Sequence, residues 1–168
     1  AGDDTVFNES FAVVVEQEGV RRWLAKMGDI RQREAFERTR HIRVEFVELI
    51  GRYRGRLDAL YRTRLAPEAM RERKRMILEE LEVEYRVLAK GWGGYAGYDR
   101  WFAQRPGNAQ LASVGIYSQL VPAFEALLER EGGDFPRFYG AVKALAALPR
   151  EEREARLRAT VSPAASDK

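Results

Sequence analysis

Apolar residues recur at intervals of three and four along most of the chain, which is the spacing of one face of an α-helix. The first such segment begins at about Thr5 or Asn8 and continues to Met27, where Gly28 is a natural stop. No run of alternating apolar and polar residues bounded by turn signals indicates a β-strand. The pattern therefore predicts an all-α fold.

Two long helices joined by a short turn are predicted next. Asp29 can cap the first, which continues without proline to Leu65, and Pro67 fits the first turn of the second, which Gly91 ends. Because the turn is short, the two helices must lie antiparallel, as a hairpin over residues 29–90. The apolar stripes of the hairpin are Phe46, Val47, Ile50, Tyr53, Leu57, Leu60 and Tyr61, and Met70, Ile77, Leu81, Tyr85 and Leu88.

The rest of the chain is predicted to alternate between irregular and helical segments. Residues 91–108 are rich in glycine and aromatic residues and form an irregular loop, which either lines a substrate site or simply connects packed helices. Helices follow at 109–131 with a break near Pro122, at 134–148 with Asp134 as N-cap, and at 149–159. We expect a single helical domain over residues 1–160 and a disordered tail over 161–168.

Composition and charge narrow the classes of function. The chain has 168 residues, 45% hydrophobic and 33% charged, which is typical of a folded protein. Its net charge of +3 is spread over alternating charges, and acidic residues interrupt the arginines of 31–64, so no nucleic-acid partner is expected. The absence of cysteine from the sequence excludes disulfides, thiolate metal sites and cysteine nucleophiles.

The same sequence gives no targeting signal. No apolar run reaches the roughly 20 residues that a membrane helix needs, so no membrane contact is expected from this segment. The sequence begins at Ala1 without an initiator methionine and becomes apolar almost at once. We therefore expect it to be a piece of a larger protein.

One carboxylate stands out among many. His41 is the only histidine and lies mid-helix among arginines, which makes it an exposed helix residue rather than a catalytic base. Glu9, in contrast, lies between Phe7 and Phe11 at the start of an apolar helix. A buried carboxylate needs a partner, so Glu9 either accepts free amides at the helix N-terminus or faces a cation.

The segment Phe7-Asn8-Glu9-Ser10-Phe11-Ala12 resembles the NExxA motif of zinc peptidases, whose metal is held by two histidines of an HExxH helix and a glutamate from a later helix. More broadly, the chain resembles the bacterial family of predicted zinc aminopeptidases along nearly its whole length. Further matching stretches are 22–24, 92–102, 111–114, Tyr117, 121–124 and 131–134.

The resemblance implies that Glu9 is the third zinc ligand and that the glutamate of HExxH is the general base. No HExxH occurs in the printed sequence, so we expect this chain to be the C-terminal part of such a peptidase, binding zinc weakly and hydrolysing nothing alone. Members of the resembled family often begin with a lipoprotein-type signal, which would imply the bacterial cell envelope.

The resemblance also suggests roles for other residues in hydrolysis of a peptide substrate. Asn8 would either orient a ligand from behind or cap the helix. Tyr95, Tyr98 and Tyr117 are candidates for a phenol that stabilises the developing oxyanion, and the alternative for each is a role in packing alone. Gly94 and Asn108 are candidates for contact with the substrate.

The alternative function is a helical protein-interaction module without catalytic activity, which would use the hairpin as an arm. An exposed apolar stripe on the folded hairpin would favour this alternative, whereas an enzyme scaffold would cover the stripe.

Overall fold

The computed structural model describes residues 1–2 and 4–161, which form eight α-helices and no β-strand. The predicted all-α class is confirmed. All of the predicted tail except Val161 lies outside the described residues. The helices are α1 Thr5–Met27, α2 Ile30–Tyr61, α3 Pro67–Lys90, α4 Asp99–Ala103, α5 Asn108–Ser118, α6 Val121–Arg130, α7 Phe135–Ala146 and α8 Arg150–Ala159.

The chain divides into two compact units. The terminal unit comprises Ala1–Met27 and Ile116–Lys168, and the hairpin unit comprises Gly28–Gly115. Each unit has its own hydrophobic core. The single-domain organisation over residues 1–160 stays a prediction.

The predicted hairpin is formed by α2 and α3. Asp29 accepts a hydrogen bond from the Gln32 amide at 2.9 Å, and the Gln32 side chain accepts one from the Asp29 amide, so the start of α2 is a complete capping box. Helix α2 ends at Tyr61 rather than Leu65, with Arg62 as its C-cap. Pro67 keeps its predecessor Ala66, with ψ of 149°, out of the helical region, so residues 62–66 form the turn between α2 and α3.

Ion pairs and a shared core hold α2 and α3 antiparallel. Arg52 pairs with Glu84 and Arg56 with Glu80. The residue number therefore rises by four on α2 while it falls by four on α3, as antiparallel helices require. The Tyr53 hydroxyl donates to Glu84 at 2.8 Å. Burial, together with this carboxylate, raises the pKa of Tyr53 to about 12. The buried residues between the helices and the following loop are Ile42, Phe46, Leu49, Ile50, Tyr53, Leu57, Leu81, Tyr85, Trp92, Phe102 and Leu111.

The predicted loop over 91–108 contains one short helix, α4, that periodicity did not indicate. Its Phe102 is buried and stacks on Tyr85 with ring centroids 3.8 Å apart. The predicted helix at 109–131 is two helices, α5 and α6, separated at Gln119 and Leu120. Pro122 then lies in the first turn of α6, where a missing amide hydrogen costs nothing.

The stretch Asn108–Arg130 is long and apolar enough, by length and composition only, to cross a membrane. Such a test is also met by the core helices of water-soluble proteins. Phe124, Leu127 and Leu128 of this stretch are buried in the core of the terminal unit, which accounts for their apolar character. The absence of membrane contact stays a prediction.

Phenylalanines form the centre of the terminal unit. Phe7 of α1 meets Phe124 of α6 edge to face with centroids 4.9 Å apart, and Phe138 of α7 packs against Phe124. All three side chains are fully buried. Asp134 caps α7 by accepting from the Arg137 amide at 2.8 Å, as the sequence predicted.

A buried ion pair joins the two ends of the terminal unit. Asp4 accepts a hydrogen bond from the Phe7 amide at 3.0 Å, which makes it the cap of α1, and another from Arg153 of α8 at 2.6 Å. Their side chains are only 3% and 7% exposed. Burial alone would raise the pKa of Asp4, but the Phe7 amide and Arg153 hold it below its ordinary value.

We predict that Asp4→Asn lowers the free energy of unfolding by about 3–5 kcal/mol, because the Arg153 guanidinium would remain buried without a countercharge. Urea denaturation at neutral pH measures the change. The double substitution Asp4→Asn with Arg153→Met should be less destabilising than Asp4→Asn alone.

Glu154→Gln is the matched control, since it removes exposed ion pairs with Arg150 and Arg158 on the same helix. Its effect should stay within about 1 kcal/mol. Because the folded-state pKa of Asp4 is depressed, its stabilisation is present at neutral pH and is lost as the pH falls below the ordinary value. Equal losses of unfolding free energy for Asp4→Asn and Glu154→Gln would contradict a stabilising buried ion pair between Asp4 and Arg153.

Candidate functional site

Glu9 is an interior residue of α1 and not its cap. Helix α1 begins at Thr5, and Asp4 occupies the capping position. Glu9 is therefore the fifth helical residue, beyond the free amides of the first turn. Of the two explanations open for this carboxylate, capping is the one that the geometry removes.

The surroundings of Glu9 leave its charge without a partner. Its neighbours Phe7 and Ser10 are fully buried toward the core, and Glu9 lies about 200° around the helix from Phe7. The Glu9 side chain is half-buried and makes no hydrogen bond or ion pair within the part of the chain that the structure describes. Its two oxygens are therefore available to a cation.

Asn8 is engaged with the segment just before α1. Its side-chain oxygen accepts from the amino group of Ala1 at 3.0 Å, and its side-chain nitrogen donates to the Ala1 carbonyl at 2.8 Å. The amide thus ties residue 1 to the first turns of the helix. An orienting role toward a metal ligand stays a prediction.

The candidate tyrosines of the loop lie together in the hairpin unit. Tyr98 stacks on Phe46 with centroids 3.8 Å apart, and the rings of Tyr95 and Tyr98 are 5.9 Å apart. Burial raises the pKa of Tyr98, so its hydroxyl stays protonated at neutral pH and can act as a donor. The oxyanion role of either phenol stays a prediction.

The glycines of the loop meet backbone requirements. Gly93 and Gly94 have φ of 61° and 87°, in the left-handed region that glycine adopts without strain. At Gly97 a β-carbon would lie 2.3 Å from the Tyr95 hydroxyl oxygen, so only glycine allows this ring position. These requirements explain the glycines without a substrate, and contact between Gly94 and a substrate stays a prediction.

The remaining candidates are placed as follows. The Asn108 side chain shares hydrogen bonds with the Tyr61 hydroxyl, donating to it at 2.9 Å, near the start of α5. Tyr117 belongs to α5, but its side chain lies outside the described residues. Glu9 and Asn8 belong to the terminal unit, whereas Tyr95, Tyr98, Gly94 and Asn108 belong to the hairpin unit.

Two features escaped the sequence analysis. The partnership of Asp4 with Arg153 joins positions 149 residues apart, although Asp4 before an apolar helix is itself a cap signal. Glu45 accepts from the Trp92 indole at 2.7 Å and lies 3.7 Å from His41, so the single histidine has a carboxylate neighbour. The His41 side chain is 73% exposed, as predicted for a surface helix residue.

No three histidine, cysteine, aspartate or glutamate side chains come together as a possible metal site anywhere in the described residues. Glu9 therefore does not belong to a group of three such side chains among the described residues. The described residues do not build a complete metal centre.

A family model whose description is "Putative aminopeptidase" matches residues 1–157. No curated protein and no solved structure matches the chain.

We predict that Glu9→Gln changes the free energy of unfolding of this chain by less than about 0.5 kcal/mol, because no partner is lost. Glu18→Gln on the same helix is the contrasting variant. Arg21 and Arg22 hold the pKa of Glu18 at about 2, so losing that carboxylate should cost about 1.5–3 kcal/mol. Urea denaturation of both variants decides the matter, and a loss above about 1 kcal/mol for Glu9→Gln would mean that Glu9 has a structural partner.

Proposed function

The chain belongs to the family described as "Putative aminopeptidase", and on that premise we propose that Glu9 is the carboxylate ligand of a catalytic zinc ion in a peptidase. The observation that carries the proposal is the half-buried Glu9 carboxylate, which has no partner among the described residues while the capping position is held by Asp4. A carboxylate that has no partner within the described residues and is partly withdrawn from water is suited to binding a cation.

The Glu9 carboxylate suits one of the three protein ligand positions of a catalytic zinc site. Zinc in hydrolytic enzymes accepts two histidines and one carboxylate, and leaves a position for water. The bound metal supplies an activated water and polarises the scissile carbonyl. We propose that the two histidines and the general base come from an HExxH segment of the protein outside the printed sequence, so that the 168-residue chain alone binds zinc weakly and hydrolyses nothing.

The exposed face of α1 supports this arrangement. Val20, Trp23 and Met27 follow Glu9 at intervals of 11, 14 and 18 residues, which places them within about 40° of it around the helix. Their exposures are 37%, 58% and 73%. An apolar strip in line with an unpartnered carboxylate suits the packing of another helix, which we propose is the one that carries the histidines.

Roles in peptide hydrolysis follow for the other candidates. We propose that a phenol from Tyr95, Tyr98 or Tyr117 donates a hydrogen bond to the carbonyl oxygen of the substrate as negative charge develops there. Replacing each tyrosine by phenylalanine in the longer protein tests this role, and unchanged turnover would exclude that tyrosine as the donor. Gly94 and Asn108 are proposed to border the peptide substrate.

Burial along the hairpin bears on the alternative of an interaction module in two ways. The residues that periodicity placed on the hairpin stripe are mostly buried, as an enzyme scaffold requires, and Phe46, Leu57 and Leu81 are at most 5% exposed. Tyr61 at the end of α2 is an exception, with 41% exposure. Met76, Val83 and Val87 of α3 are exposed and, at spacings of seven and four residues, share one face of the helix, which is the feature that would favour the alternative.

In the longer protein, we predict that Glu9→Gln lowers zinc affinity and kcat/KM by more than about 100-fold, because groups that merely support a ligand already cost about 10–100-fold. Zinc content after dialysis and hydrolysis of aminoacyl substrates measure the two effects. Reading the coding sequence upstream of Ala1 for an in-frame HExxH is the first step.

Glu129→Gln is the control, since Glu129 of α6 is an exposed carboxylate of the same unit and lies outside the strip of α1 that is proposed to meet the histidine-bearing helix. It should retain both zinc and activity. Full zinc occupancy and turnover in Glu9→Gln, or the absence of any HExxH upstream, would refute the proposed site.

A further inference from the structure

A cavity of about 360 Å³ lies in the hairpin unit between α3 and the connection from α4 to α5. Its volume is within the range of about 300–1,000 Å³ that small-molecule sites occupy. The apolar part of the wall is formed by Leu78, Leu81, Phe102 and Pro106. Leu81 and Phe102 are buried residues, so this wall belongs to the hydrophobic core of the unit.

Most of the charges that line the cavity are already neutralised. Glu79 pairs with Arg75, which also binds Glu72 through two hydrogen bonds, and Glu82 pairs with Arg86. Arg105 is different, because its guanidinium has no partner within the described residues. The cavity therefore combines an apolar wall with one uncompensated positive charge.

The backbone at Arg105 supports a specific role for this side chain. Its φ is 50°, and it is the one residue other than glycine with a left-handed backbone in the described part of the chain. An arginine in this backbone conformation is strained, whereas a glycine at the same position would adopt it freely. The turn is closed by the Arg105 amide, which donates to the Phe102 carbonyl at 2.9 Å.

We propose that this cavity binds a small carboxylate with an apolar body, with Arg105 gripping the carboxylate through two parallel hydrogen bonds. Guanidinium matches a carboxylate in this bidentate way, and the apolar wall accepts the hydrocarbon part. The C-terminal residue of an apolar peptide and a short fatty acid share this chemistry. The site lies entirely in the hairpin unit and does not depend on Glu9 or a metal.

The test titrates the 168-residue chain with N-acetyl-leucine, which carries the carboxylate and no amine, and follows binding by calorimetry and NMR. N-acetyl-leucinamide is the neutral isostere and should bind at least about 10-fold more weakly, because it cannot pair with the guanidinium. Octanoate replaces the peptide-like probe in a second arm. Tighter binding of one probe identifies the source of the carboxylate.

Arg105→Gly removes the cation and suits the left-handed backbone, so the variant should fold at least as stably as the parent and lose the preference for the anion. Arg105→Lys should retain part of it. Arg100→Ala removes an exposed arginine of α4 outside the cavity lining and should bind as the parent does. Equal binding of acid and amide, unchanged binding by Arg105→Gly, or no saturable binding of either probe up to roughly 10 mM would overturn the proposal.

Discussion

The buried carboxylate of Asp4 determines where α1 begins. It satisfies the Phe7 amide and, at the same time, the guanidinium of Arg153 from α8. Such a pair can exist in the core only if both partners stay, because either charge alone would be buried without compensation. The first turn of α1 is thereby fixed to the last described helix, and the rotation of α1 about its axis is fixed with it.

Everything proposed for Glu9 depends on that rotation. With Phe7, Ser10 and Val14 turned into the core, Glu9 lies at the edge of the exposed face of the helix, one turn before the buried Val13. The same helix thus has one face that stabilises the unit through the phenylalanine cluster and another that gives no internal contact to its carboxylate. A division of this kind is what a ligand-bearing helix needs, since a group optimised for folding is not free to bind a metal.

Local signals made the helices predictable. Asp29, Pro67, Gly91 and Asp134 each act on their own turn, and the structure uses them as the sequence indicated. The features that could not be predicted depend on partners far apart in the sequence, on segments too short to show a period, or on a backbone conformation that the residue type disfavours. The bond between Asp4 and Arg153 joins distant ends, helix α4 has too few residues to show a period, and Arg105 has a left-handed backbone before a proline.

The same distinction between local signals and distant partners applies to the candidate site. Glu9 was identified by resemblance to a motif, and the structure then removed capping as its explanation. The partners that would complete a zinc centre are absent from the printed sequence, so no argument from this chain alone could place them. The Gly and Tyr candidates of the loop have sufficient structural reasons in backbone conformation and ring packing.

The central claim is that the Glu9 carboxylate binds zinc, and anomalous diffraction at the zinc edge from crystals of the longer protein tests it most directly. The account predicts one strong anomalous peak about 2.0–2.2 Å from a Glu9 oxygen, with two histidines completing the ligand set. A zinc peak held by other residues, with Glu9 turned to solvent, would contradict it.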